Sequence, residues 1–167
     1  MNEIRRLLIG AARTSDGTPS GEAAAQVAVG AIEAPSHVIA AESAALVRWF
    51  AGHLNSPSRL DWDDDDDVIA DQTLDSAMGG INHGGRCTSP NIGLAADRCM
   101  TALVQLARER DDERRLASAK LYARSRDPLG IAFTGVQLVR ALAEFTGDAE
   151  AALDAIELVE LARGEII

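Results

Sequence analysis

Apolar residues recur at helical spacing along almost the whole chain, and no stretch keeps the two-residue alternation of a half-buried strand for more than a few positions. Ile4, Leu7, Leu8, Ala11 and Ala12 form the first stripe, which the loop from Thr14 to Ser20 ends. Ser20 reads as the N-cap of an alanine-rich helix over about residues 21–34, stopped by Pro35 because its ring cannot follow an uninterrupted turn. Ser36 reads as the cap of a third helix with Ile39, Leu46, Trp49, Phe50 and His53 along one side, and Asn55-Ser56-Pro57-Ser58 is a breaker cluster.

The next helix is expected to start inside Asp63–Asp67 and to run to Met78, with Val68, Ile69, Leu74 and Met78 for packing. A glycine-rich connector over 79–93 follows. Ser89-Pro90 then reads as N-cap and first helical residue, opening a helix with Ile92, Ala96, Cys99, Leu103 and Leu106 on one stripe as far as Arg110. Asp111-Asp112-Glu113 either continues that helix or starts another toward Arg126. Asp127-Pro128 repeats the cap-then-proline signal for a helix over 128–146. Gly147 is a stop and Asp148 a new cap. The last helix, to Gly164, turns Leu153, Ile156 and Val159 inward and Glu150, Asp154 and Glu157 outward. The pattern predicts an all-α fold, a compact bundle of seven to eight helices with no sheet, forming a single domain over 1–167.

Length and composition agree with this. A chain of 167 residues, 47% hydrophobic and 25% charged, can bury a core of its own. Six aromatics against 30 alanines imply close helix crossings with small side chains between them. There is no repeat of fixed period. No apolar run approaches 18 residues, and Leu7 to Ile9 is too short for a signal-peptide core, so the expected location is cytoplasmic. Cys87 and Cys99 are then expected to be reduced thiols. Lys120 is the one lysine among 16 basic residues. That arginine bias, with abundant alanine, suggests a GC-rich coding genome, as in an actinobacterium or its phage.

The formal charge of −10 makes a surface that coats nucleic acid unlikely, because phosphate neutralisation needs an excess of Lys and Arg. The charge is banded. Residues 1–60 carry five basic and five acidic side chains, 61–97 one and nine, 98–126 eight and four, and 127–167 two and eight. The basic stretch contains Arg98, Arg108, Arg110, Arg114, Arg115, Lys120, Arg124 and Arg126. It reads first as a salt-bridged surface helix. Its functional reading is to dock against the Asp-rich face of the same chain or of a second copy, giving a dimer.

Two segments carry candidate chemistry. The first is Gly79 to Asn91, in which Asn82, His83, Gly84, Gly85, Arg86, Thr88 and Ser89 combine bendable backbone, a guanidinium and a following helix start, the ingredients of an anion cradle. Its spacing fits neither a P-loop nor a dinucleotide fingerprint, and its plain reading is a connector. The second is the acidic run Asp63, Asp64, Asp65, Asp66 and Asp67 with Asp71 and Asp75. Asp67, Asp71 and Asp75 are four apart and share a helix face, where they suit a basic partner or a divalent cation. The plain reading is a solvated, well-capped helix start.

Weaker constellations complete the search. His53, His83, Cys87 and Cys99 lack the paired short spacings of a zinc site, and a Cys87 nucleophile with His83 as base is equally thin, so no metal or cofactor is expected. Glu42 lies on an apolar stripe and is expected to bond a helix end or an arginine such as Arg48; its catalytic reading is as a buried acid or base. The composite expectation is a non-enzymatic interaction or regulatory protein, inhibitor- or antitoxin-like, that binds a basic protein surface through its Asp-rich faces. The alternative is a phosphate- or nucleotide-ligand binder, or small enzyme, using 82–91 and Arg86.

Overall fold

The computed structural model describes residues 3–53, 61–82, 97–124 and 127–166. Eight helices and no strand occur among them: α1 (Glu3–Thr14), α2 (Pro19–Gly30), α3 (Ser36–Gly52), α4 (Asp64–Asn82), α5 (Asp97–Arg108), α6 (Asp112–Tyr122), α7 (Pro128–Phe145) and α8 (Ala149–Ile166). The fold is all-α, and among the described residues no single helix is long and apolar enough to cross a membrane.

Helix starts follow capping chemistry. Asp127 accepts from the Leu129 N–H ahead of Pro128, and Asp111 accepts from the Arg114 N–H, so 109–111 breaks the chain into α5 and α6. Asp148 accepts from the Ala151 N–H after Gly147, whose φ of +93° suits glycine. The expected Ser20 cap is corrected to Thr18, whose hydroxyl accepts from the Gly21 N–H with Pro19 in the first turn. Asp16 secures Thr18 by accepting from both its N–H and its hydroxyl. Helix α2 also ends early, at Gly30, and Ile32 just past its end is buried. Ser36 is the first helical residue of α3, and Pro35 occupies the cap position. Helix α4 runs four residues past Met78, through Gly79 and Gly80 to Asn82.

Helix α3 lies at the centre, touching α1, α4, α5, α6 and α7. It is buried on nearly every side from Ile39 to Gly52. Helices α3 and α7 cross closely. The Ser43 hydroxyl donates to the Ala132 carbonyl at 2.9 Å, and a methyl on Gly135 would sit 2.0 Å from that hydroxyl oxygen. Around this crossing Leu46, Phe50, Leu103, Leu106, Leu138 and Ile156 fill the core. Helix α8 closes against α1 and α7 with Leu153, Ile156 and Val159 inward. Arg13 of α1 pairs with its outer Glu150, Asp154 and Glu157.

Helix α4 is rolled differently from the apolar pattern. Ala70 and Leu74 are buried as hydrophobic contacts, but Val68 and Ile69, expected in the packing, are exposed. The reason is electrostatic: Arg48 and Arg110 draw Asp67 and Asp71 toward the body.

Candidate functional site

Helix α4 begins with a reciprocal cap made from two aspartates. Asp63 accepts from the Asp66 N–H at 3.1 Å, and Asp66 accepts from the Asp63 N–H at 2.9 Å. This satisfies two amide donors at once, as a capping box does. Asp66 is buried, with His53 Nε2 at 3.5 Å from its carboxylate. The His53 ring meets Trp49 and Trp62 edge-on, and the two tryptophans stack with centroids 5.3 Å apart. Gly52 makes room for that stack, since a Cβ there would lie 2.4 Å from the Trp62 ring.

One turn along α4, Asp67 and Asp71 face the fold rather than solvent. Arg48 of α3 donates to Asp67 at 2.5 Å and to Asp71 at 2.9 Å, and its guanidinium lies over the Trp62 ring. Trp62 also donates its indole N–H to Asp67. Arg110 donates to Asp71 at 2.9 Å, and Arg108 pairs with Asp75 at 3.0 Å near the surface. The Asp71 carboxyl is raised by burial but lowered more by hydrogen bonds from Arg110 and Arg48, and it ends below the usual carboxylate range. Arg110 is correspondingly raised by its hydrogen bond to Asp71.

Arg48 and Arg115 close the end of α5. Arg48 also donates to the Ala107 carbonyl, and Arg115 to those of Leu106 and Glu109. Helix C-termini leave carbonyls without intrahelical donors and carry a partial negative charge, so cations stabilise them. Arg115 is 4% exposed, although the sequence pattern assigns it to a solvated face.

Arg5, Arg48, Arg110 and Arg115 line, with Trp49 and Trp62, a cleft of about 340 Å³. Its composition suggests an anion site, but its pairing argues otherwise. Arg5 contacts Glu42 and Glu160, Arg48 and Arg110 contact Asp67 and Asp71, and Arg115 contacts Asp112. Five carboxylates already serve four guanidiniums, and an incoming anion would have to displace them, most expensively at the buried Arg48.

The acidic residues proposed from sequence therefore divide into two groups. Asp63, Asp66, Asp67, Asp71 and Asp75 are engaged within the chain. Asp64 and Asp65 are exposed, and among the described residues no ion pair engages them. Beside them stand Val68 and Ile69, 49% and 38% exposed. Among the described residues no three His, Cys, Asp or Glu side chains converge on a point where a metal would sit.

Glu42 pairs with Arg5 rather than with Arg48, which the two aspartates occupy. Cys99 is half-buried and packs on the core. Asn82 is the last residue of α4, and His83, Gly84, Gly85, Arg86, Cys87, Thr88 and Ser89 lie outside the described residues. Sequence reasoning missed Arg48 as the hub. Its one signal was a lone arginine in the apolar second half of α3, between Val47 and Trp49. Comparison with known proteins finds no matching family model, curated protein or solved structure.

Proposed function

We propose that this chain is a non-enzymatic interaction protein of regulatory or inhibitory type, which binds a basic protein surface through the outward face of α4. The observation that carries this reading is the pairing of exposed Asp64 and Asp65 with exposed Val68 and Ile69 on that helix. Positions 65, 68, 69 and 72 fall on one helix face, so the carboxylates border an apolar strip. A strip of this kind suits a partner that presents cations around apolar side chains, with apolar burial supplying affinity and charge supplying orientation and encounter rate. The inner row, Asp67 and Asp71 on Arg48, supports the same reading by holding α4 rigid. A pre-ordered helix loses less entropy on binding than a flexible one.

The test uses a synthetic helical peptide with Leu and Lys alternating along one face as the basic probe, followed by calorimetry across a salt series. Affinity should fall steeply between about 0.1 M and 1 M salt, as the Debye length shrinks from roughly 10 Å to 3 Å. Affinity that stays flat across that range overturns the reading.

A further inference from the structure

Asp112 is the least firmly held carboxylate of the arginine-lined cleft. It pairs with Arg115 three residues along α6, but its side chain is 84% exposed while that of Arg115 is 4% exposed. Glu42, Asp67, Asp71 and Glu160 are all far more buried against their arginines. Arg115 keeps its place without Asp112. Its Nε donates to the Leu106 carbonyl at 3.1 Å, and a terminal nitrogen donates to that of Glu109. Leu106, Glu109 and Asp112 each take one of its N–H bonds among the described residues, which leaves guanidinium donors unused. Asp112 also stands where two clefts meet. A second cleft of about 240 Å³ adjoins the first, and Arg5, Ala45, Asp112 and Arg115 line both.

We propose that the larger cleft binds a small aromatic monocarboxylate, whose carboxylate takes the place of Asp112 on Arg115. The incoming group is the chemical equivalent of the one it displaces, and a planar guanidinium suits its two oxygens. Releasing an exposed carboxylate to solvent costs little, and the buried pairs of Arg48 stay intact. The exchange also preserves the charge balance of the cleft. A phosphate dianion would instead add charge beside Asp67 and Asp71, which repel it. Arg110, 55% exposed on the same cleft, supplies a second cation. The aromatic body is argued from the apolar part of the lining, Ala45, Trp49 and Trp62. Aromatic rings make favourable contacts with tryptophan. The cleft volume of about 340 Å³ lies at the small end of ligand sites and suits a single-ring acid. The site uses none of Asp64, Asp65, Val68 and Ile69, so it stands or falls apart from the proposed docking face.

Trp49 and Trp62 are the only tryptophans in the chain and both line this cleft, so their emission reports its occupancy in the wild-type protein. The probe is phenylacetate, which does not absorb where tryptophan is excited, with acetate and phenyl phosphate as comparisons. Phenylacetate should change the emission saturably at millimolar concentrations and bind more tightly than either comparison. Asp112→Ala removes the competing carboxylate without touching the carbonyls that hold Arg115, and should bind phenylacetate about three- to fivefold more tightly. Glu113→Ala removes one negative charge from the next position, where no printed pairing to Arg115 exists to be relieved, and should change affinity less than about twofold. Several results overturn the proposal. They are no saturable change in wild type and Asp112→Ala, an Asp112→Ala affinity no higher than that of Glu113→Ala, and acetate or phenyl phosphate binding as tightly as phenylacetate.

Discussion

Arg48 of α3 reaches Asp67 of α4 at 2.5 Å while also donating to the Ala107 carbonyl at the end of α5. One guanidinium therefore joins three helices, and it determines which side of the Asp-rich helix remains open to solvent. Breaking this arrangement should be costly. Arg48→Ala should lower unfolding stability by about 1–3 kcal/mol, because the partly buried Asp67 and Asp71 lose their inner partner and keep only Arg110, and the Ala107 carbonyl loses its donor. Urea unfolding followed by circular dichroism measures it. A loss within about 0.5 kcal/mol would make Arg48 peripheral.

The neighbouring surface pair gives the contrasting case. Arg108 and Asp75 are both about half exposed, so Arg108→Ala should change stability by no more than about 1 kcal/mol. The same urea titration separates this pair from Arg48.

Acid should loosen α4. Asp71 is held below its ordinary value mainly by Arg110 and Arg48, which outweigh its partial burial. A carboxyl lowered in the folded state contributes stability above its unfolded pKa, about 3.9, and that contribution is lost as pH falls through the folded value. Wild type should therefore lose stability below about pH 4. Asp71→Asn, already without the contribution, should show a shallower fall there. Equal slopes for the two proteins would rule out this role.

The crossing of α3 and α7 makes a steric prediction. Gly135→Ala places a methyl against the Ser43 hydroxyl and within 3.2 Å of Leu103, which should cost about 1–3 kcal/mol. Adding Ser43→Ala removes the nearest clash, so the double variant should recover part of the loss. If the two substitutions are simply additive, the residues do not meet.

Much of the fold was legible because helical periodicity and capping are local. Asp127-Pro128 and Asp148 could be read directly from the chain. Thr18-Pro19 carries the same cap-then-proline signal, but the nearby Ser20 offered a competing cap. The spacing of Asp67, Asp71 and Asp75 places them on one face, yet nothing local says which way that face points. Apolar content alone turns Val68 and Ile69 inward. The roll of α4 is set instead by Arg48 and Arg110, which lie far away in sequence and pull Asp67 and Asp71 toward the body. The candidate site follows from that roll, because turning the acidic row inward turns Asp64, Asp65, Val68 and Ile69 outward. Likewise, the Trp49–Trp62 stack depends on the missing Cβ of Gly52, which sequence periodicity does not weigh.

The most direct test separates the two acidic groups by charge. The basic helical peptide is titrated by calorimetry into D64N/D65N at a temperature where the variant is fully folded. The account predicts binding at least about tenfold weaker than wild type, with the urea midpoint lowered only by the modest loss of two first-turn charges. Unchanged affinity in that folded variant would contradict the claim that the outward face of α4 is the docking surface.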